Sequence, residues 1–262
     1  MPLLCEKHGH VAILTLSRPE KRNAWGDDFN NGLQTHLAQL EQDPDVRCVV
    51  LTGDDKGGAF SSGADLKNER THIIDCTADF LDVMPARRRS HPFVLLSDFA
   101  KPLIAAVNGY AIGVGSIVTY CCDLIVASER AEWRLTQVNF GILPAQGATA
   151  RLAKWIGKGH AMRLALGFPL SAEEAHRIGL AQWLVPHAEL MAKTLEIAGQ
   201  IAALPPLASR LTKESLNFGI NLTVPDASHA DLYRTMALQL TEDAAETHRA
   251  WREKRSPELK GR

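Results

Sequence analysis

No two cysteines in this chain are spaced CxxC. Cys5, Cys48, Cys76, Cys121 and Cys122 make an odd set with two adjacent members. That pattern suits neither a simple disulfide framework nor a zinc site, so a reducing, cytoplasmic setting is expected. An excess of one charge sign is missing too: 29 Lys+Arg oppose 30 Asp+Glu, a formal net charge of -1. This balance argues against a nucleic-acid surface and against an acidic solvating tail. Met1–Lys7 carries no long apolar region behind a basic start, so no secretory signal is expected. No GxxxxGK is present, and Gly113-Val114-Gly115 runs on to Val118 where a dinucleotide fingerprint needs glycine. No GxSxG occurs, because Ser116 follows Gly115 directly. His8-Gly9-His10 has no third ligand nearby and reads as a solvated surface pair, so no metal site is expected.

What is present is an ordinary globular composition, 45% hydrophobic and 23% charged over 262 residues. That length suits one large domain, or one core with a small appendage. Pro102 to Cys122 has no charged side chain and is long enough to cross a bilayer. Asn108, Gly109, Gly113 and Gly115 interrupt it, so it reads as a buried strand, a glycine-rich turn and a core helix, and no membrane span is expected.

Val11–Leu16, Val46–Thr52, Leu103–Val107 and Leu124–Ala127 read as strands. A helix with Phe29, Leu33, Leu37 and Leu40 on one face separates the first two. Strands alternating with helices imply a βαβ sheet with right-handed crossovers. Beyond Gln146 helical patterns dominate: Ala148–Trp155, Gly159–Leu166, Ala172–Ile178, His187–Ala203, Leu207–Phe218, Ala227–Leu240 and Glu242–Lys254. Only Gln182–Val185 interrupts as a short strand. The fold class is therefore α/β, with a core over 1–200 and a helical region over 201–262.

Two small-residue loops, Phe60–Leu66 and Gly109–Ser116, each enter a predicted helix. Small residues let a ligand approach the main chain, and helix starts present unpaired N–H groups. Two such groups on one point would hold an oxyanion. From spacing alone, ordinary glycine turns are the simpler reading.

Arg18–Ala24, Phe60–Leu66, Lys101–Gly109, Cys122-Asp123, Gly141–Pro144, Ser171–Ala175 leading to Gly179-Leu180, and Trp251–Arg255 are together similar to the enoyl-CoA hydratase/isomerase (crotonase) superfamily. The resemblance runs in order along almost the whole chain. It implies a spiral of ββα turns with a helical C-terminal trimerisation region, assembled as a trimer or a dimer of trimers. It implies an acyl-CoA thioester as partner, with coenzyme A part of the substrate and no separate cofactor. The matched oxyanion donors are the backbone N–H groups of Ala64 and Val114, the latter where the family often has glycine. Arg22, Ala24, Ser62, Asp65 and Leu66 match segments that wrap the nucleotide and pantetheine. Lys254, with Trp251, matches a C-terminal helix that reaches the phosphate-bearing end.

The departures are as specific as the match. Family hydratases carry two glutamates, and those positions here hold Ile117 and Gln137. Ile117 cannot move a proton, while Gln137 can orient a water but does not titrate near neutrality. Efficient hydration is therefore not expected, and the alternatives are another acyl-CoA reaction (isomerase, decarboxylase, lyase or hydrolase) or a non-catalytic acyl-CoA-binding subunit. Glu69 and His72, and likewise Asp79 and Asp82, are spaced to share a helical face near the acyl pocket that the resemblance implies, although solvated charge explains each more simply. Asp123 reads as structural, and Arg87–Arg89 as a wet helix face.

Overall fold

A computed structural model describes residues 2–67 and 91–262. Glu69, His72, Cys76, Asp79, Asp82 and Arg87–Arg89 lie outside the described residues.

The apolar runs become the sheet interior. Strands β1 (Leu3–His8), β2 (Val11–Leu16), β3 (Cys48–Gly53), β5 (Leu103–Val107), β7 (Leu124–Ser128) and β10 (Trp183–Val185) form one sheet in the order β1-β2-β3-β5-β7-β10. From β2 to β10 every pairing is parallel; β1 pairs antiparallel at the edge. Alternate residues feed two cores, which is why these strands lack a polar face. Ala12, Leu14, Leu16, Val49 and Leu51 pack with Phe29, Leu33, Leu37 and Leu40 of helix α1 (Asp27–Gln42). Val11, Ile13, Val50, Ile104 and Val126 pack with Leu190, Ile197 and Ala198 of the later helix at Leu190–Ala202.

A second sheet, in the order β4-β6-β8-β9, comprises β4 (Ala59–Ser61), β6 (Tyr110–Ile112), β8 (Glu132–Arg134) and β9 (Leu170–Ser171). After β3, β5 and β7 the chain steps into this sheet as β4, β6 and β8. Successive turns thus contribute one strand to each sheet, the spiral expected from the resemblance. Helix α2 (Pro92–Asp98) precedes β5, and helix α3 (Val114–Thr119) leaves β6 toward β7. The uncharged stretch Pro102–Cys122 is accordingly β5, β6 and α3, not a span. Among the described residues, no helix is long and apolar enough to cross a membrane.

The short strands depart from the sequence reading. Residues 59–61 and 110–112 read as loop but pair as strands, and β1 and β8 were not expected at all. The helical span α4 (Ala148–Ala165) breaks at Gly157, whose φ of 75° and ψ of 159° separate the two helices expected there. Helix α5 (Ala172–Arg177) and helix α6 (Leu190–Ala202) follow, then α7 (Pro206–Gly219), α8 (Val224–Gln239) and α9 (Glu242–Glu253). Thr223 and Thr241 cap α8 and α9, accepting from the N–H groups of Asp226 and Ala244.

An ion pair ties α7 to the sheet. Lys213 Nζ lies 2.7 Å from Asp123 Oδ2 and donates to the Lys101 carbonyl at 3.0 Å. Asp123 also accepts from the Leu103 N–H at 2.7 Å, giving it the structural role expected of it. The C-terminal segment folds back on α9, where the buried Asp243 accepts from the N–H groups of Lys260 and Gly261.

Candidate active site

The site begins with a buried asparagine. Asn23 adopts φ 55°, its Nδ2 donates to the carbonyls of Asp54 and Ala59, and its Oδ1 accepts from the Arg18 N–H. These bonds fold residues 18–25 against the end of β4. The Ser62 N–H then donates to Arg22 O, the Trp25 N–H to Gly63 O, and the Asp65 N–H to Trp25 O. Trp25 therefore occupies one side of Ala64 as a parallel bridge. Successive N–H groups of an extended chain alternate in direction, so the Ala64 N–H points to the opposite side. It has no acceptor among the described residues.

The second loop is fixed by close approach. A Cβ at Gly115 would lie 2.7 Å from both Cβ and the carbonyl oxygen of Ser61, so only glycine lets α3 settle on β4. The Gly113 N–H donates to Arg134 O at 2.8 Å, which pins the start of α3 to the end of β8. Val114 opens the helix, and its N–H has no intrahelical partner.

The two loops meet at their glycines. A Cβ built on Gly63 would fall 2.9 Å from Ile112 O and 3.9 Å from Gly113 Cα. One built on Gly113 would fall 3.9 Å from Gly63 Cα, 3.6 Å from Thr136 Oγ1 and 3.8 Å from Gln137 Nε2. Ala64, Val114 and Gln137 are thus brought together. Gln137 opens a short 3-10 helix, Gln137–Phe140, and its Oε1 is buried with no hydrogen-bond partner. Ile117 lies one turn into α3, only 1% exposed and part of the main core.

The residues matched to the coenzyme-wrapping segments differ in exposure. Arg22 and Leu66 are exposed, Ala24 is buried, and Ser62 Oγ donates to Lys21 O. The Asp65 carboxylate is held by Lys21 at 2.8 Å and Arg18 at 3.1 Å. The Lys21 ammonium, with the Lys67 N–H, keeps its pKa below the usual carboxylate value. Asp65, next to Ala64 in the chain, therefore holds two cations. Lys254, in the left-handed region at φ 54°, ends α9 and is exposed.

Among the described residues, no group of three or more His, Cys, Asp and Glu could hold a metal. Cys5, Cys48, Cys121 and Cys122 are free, and burial pushes Cys48 up to about 12 and Cys121 to about 11, which makes both poor nucleophiles. Sequence reasoning missed a Ser–His–Asp alignment: Ser128 Oγ is 3.1 Å from His187 Nδ1, and His187 Nε2 is 3.1 Å from Asp55 Oδ1. Ser128 is fully buried and already accepts from the Arg130 N–H, so this array cross-links loops and presents no nucleophile. An open cleft of about 610 Å³ lies elsewhere, between α2 and α7–α8, lined by Phe99, Leu207, Leu211 and Phe218 among others.

A sequence model described as Enoyl-CoA hydratase/isomerase matches residues 6–262. The chain belongs to the enoyl-CoA hydratase/isomerase family. A protein of Dictyostelium discoideum named probable enoyl-CoA hydratase, mitochondrial, is 34% identical over 254 residues, covering 96% of this chain and 88% of its own length. The 2,3-dehydroadipyl-CoA hydratase of Escherichia coli is 33% identical over 261 residues, covering 99% of each chain. The crystal structure of enoyl-CoA hydratase from Bacillus anthracis superposes with a TM-score of 0.90 at 32% identity, covering 100% of both chains. This is an enzyme superfamily that acts on acyl-CoA thioesters, and its fold is the one described above.

Proposed function

We propose that this chain binds an acyl-CoA thioester with the carbonyl oxygen between the N–H groups of Ala64 and Val114. The observation that carries this reading is the contact of Gly63 with Gly113, each followed by a residue whose N–H has no acceptor among the described residues. Two fixed donors on a thioester oxygen acidify the α-carbon and stabilise the enolate that follows. One such donor is worth about 10²–10³-fold in rate. Arg22, Ala24, Ser62 and Leu66 line the way for the pantetheine and nucleotide. Asp65 holds Arg18 and Lys21 beside them, and Lys254 supplies charge toward a phosphate.

Proton transfer is where this chain differs. A general acid–base group is worth about 10²–10⁴-fold, and the two family positions hold Ile117 and Gln137. We therefore read the chain as an acyl-CoA enzyme with weak hydratase activity, its reaction drawing on another acid–base residue such as Glu69 or His72. The buried, apolar Ile117 favours a second reading, a non-catalytic acyl-CoA-binding subunit.

Self-association belongs to the same proposal. Leu204, Leu216, Leu232, Met236 and Leu240 are each more than half exposed, and α8 buries no residue within one chain. Leu207 and Leu211 line the cleft beside them. Faces this apolar fit a trimer or a dimer of trimers. The free cysteines fit a reducing, cytoplasmic setting.

Calorimetry with butyryl-CoA tests the central step. Binding is expected for the native protein, and Lys254→Ala should weaken it about threefold or less, with a smaller effect at high salt. No binding of butyryl-CoA would overturn the reading. Sedimentation at micromolar concentration should show a trimer-based species, and monomer alone would contradict the assembly.

A further inference from the structure

His187 follows β10, yet its ring reaches the short 3-10 turn Asp55–Gly57 that follows β3. Ser128 Oγ accepts from the Arg130 N–H, so its own proton is available to His187 Nδ1 at 3.1 Å. Nε2 is then the protonated ring nitrogen, and it donates to Asp55, 3.1 Å from Oδ1 and 3.2 Å from Oδ2. Asn108 Nδ2 reaches Asp55 Oδ1 only at 3.4 Å, so His187 is the closer hold on this carboxylate.

The turn that Asp55 opens lies directly against residues 18–25. A Cβ on Gly57 would fall 3.2 Å from Asn23 Nδ2, 3.3 Å from Pro19 Cα and 3.4 Å from Arg22 Cα. Asn23 Nδ2 also donates to Asp54 O at 3.0 Å. The same loop passes the constraint on: Arg22 O accepts from the Ser62 N–H at 3.0 Å, and Trp25 O from the Asp65 N–H at 2.8 Å. Those bonds flank Ala64 in the chain.

Resting on the acyl-CoA reading above, we propose that His187 is a positioning residue for coenzyme binding: through Asp55 it sets the turn against which Arg22, Ala24 and the Ala64 N–H are placed. Asp55 is 68% exposed while the His187 side chain is 16% exposed. An exposed ion pair adds little to stability, so the weight of this contact falls on where the turn sits.

Butyryl-CoA calorimetry on conservative variants tests this role. Asn places its amide near the Nδ1 position of histidine and Gln near Nε2, so each keeps one contact of His187. His187→Asn keeps Ser128 and loses Asp55, and it should weaken binding about two- to fivefold, the range of one exposed ion pair. His187→Gln keeps the donor to Asp55 and should bind as the native protein does. Asp55→Ala should match His187→Asn, and the double variant should be no weaker than either single change. A merely structural role gives the opposite order, because His187→Gln leaves the buried Ser128 hydroxyl unpaired. Native affinity in Asp55→Ala would overturn the proposal, and the exposure of Asp55 keeps that variant free of a folding penalty. Equal weakening in His187→Gln and His187→Asn would overturn it as well. If the native protein does not bind butyryl-CoA, the acyl-CoA reading falls and this role falls with it; binding that ignores Asp55 removes only the latter.

Discussion

Gly63 and Gly113 face each other so closely that a Cβ on either would come within 3.9 Å of the other's Cα. The contact joins loops 50 positions apart and sets the spacing of the N–H groups that follow. Gly63 also has φ 95° and Ile112 O at 2.9 Å from any added Cβ. Gly63→Ala should therefore destabilise the fold by about 1–3 kcal/mol through backbone strain. It should also weaken acyl-CoA binding by displacing Ala64. Urea denaturation and butyryl-CoA calorimetry on the same preparation check both effects. A stable variant with native affinity would show that the spacing does not matter.

The Asp123–Lys213 pair should hold α7 against the sheet. Lys213 is 8% exposed and Asp123 23% exposed, so both charges are largely desolvated. Lys213→Met should cost about 2–4 kcal/mol, short of the full penalty for a completely buried pair. Burial already raises the pKa of Asp123 against the pull of Lys213. A carboxyl whose pKa is raised on folding destabilises the native state most when ionised. The cost in Lys213→Met should therefore shrink as pH falls through that pKa. Denaturation of Lys213→Met, Asp123→Asn and the double variant gives the coupling, which should be clearly non-additive.

Much of this frame was legible in the sequence. β2, β3, β5 and β7 are apolar runs, and α7 and α9 carry a clear amphipathic periodicity. β4 and β8 have three residues each, and their partners lie far along the chain, so no local pattern announces them. β1 was hidden by Cys5, Glu6 and Lys7, which are tolerated because the strand lies at the sheet edge. The positions of Ala64, Val114, Ile117 and Gln137 came from matched motifs. Their proximity, and the unpaired Gln137 Oε1, depend on contacts that close only when the turns stack. The Ser128–His187–Asp55 cross-link was illegible for the same reason.

Acid should loosen the C-terminal segment. Glu246 is paired with Arg255 at 2.5 Å and accepts from the Glu258 N–H at 3.1 Å. The Arg255 guanidinium lowers its pKa from 4.5 to about 2. A carboxylate depressed on folding contributes stability above its unfolded pKa and loses it as pH falls through the folded one. Native protein should therefore be more heat-stable than Glu246→Gln near neutral pH. The gap should close between about pH 4.5 and pH 2. A gap that does not change with pH would contradict the assignment.

On the proposed reading, the donors at Ala64 and Val114 remain while Ile117 and Gln137 remove the usual proton traffic. Crotonyl-CoA hydration, followed by loss of enoyl absorbance, is the decisive assay. Native protein should hydrate crotonyl-CoA slowly, and Ile117→Glu combined with Gln137→Glu should raise the rate at equal folded concentration. Some stability should be lost, because a carboxylate at 117 enters the core. Fast hydration by the native protein would contradict the claim and place the working carboxylate elsewhere in the chain.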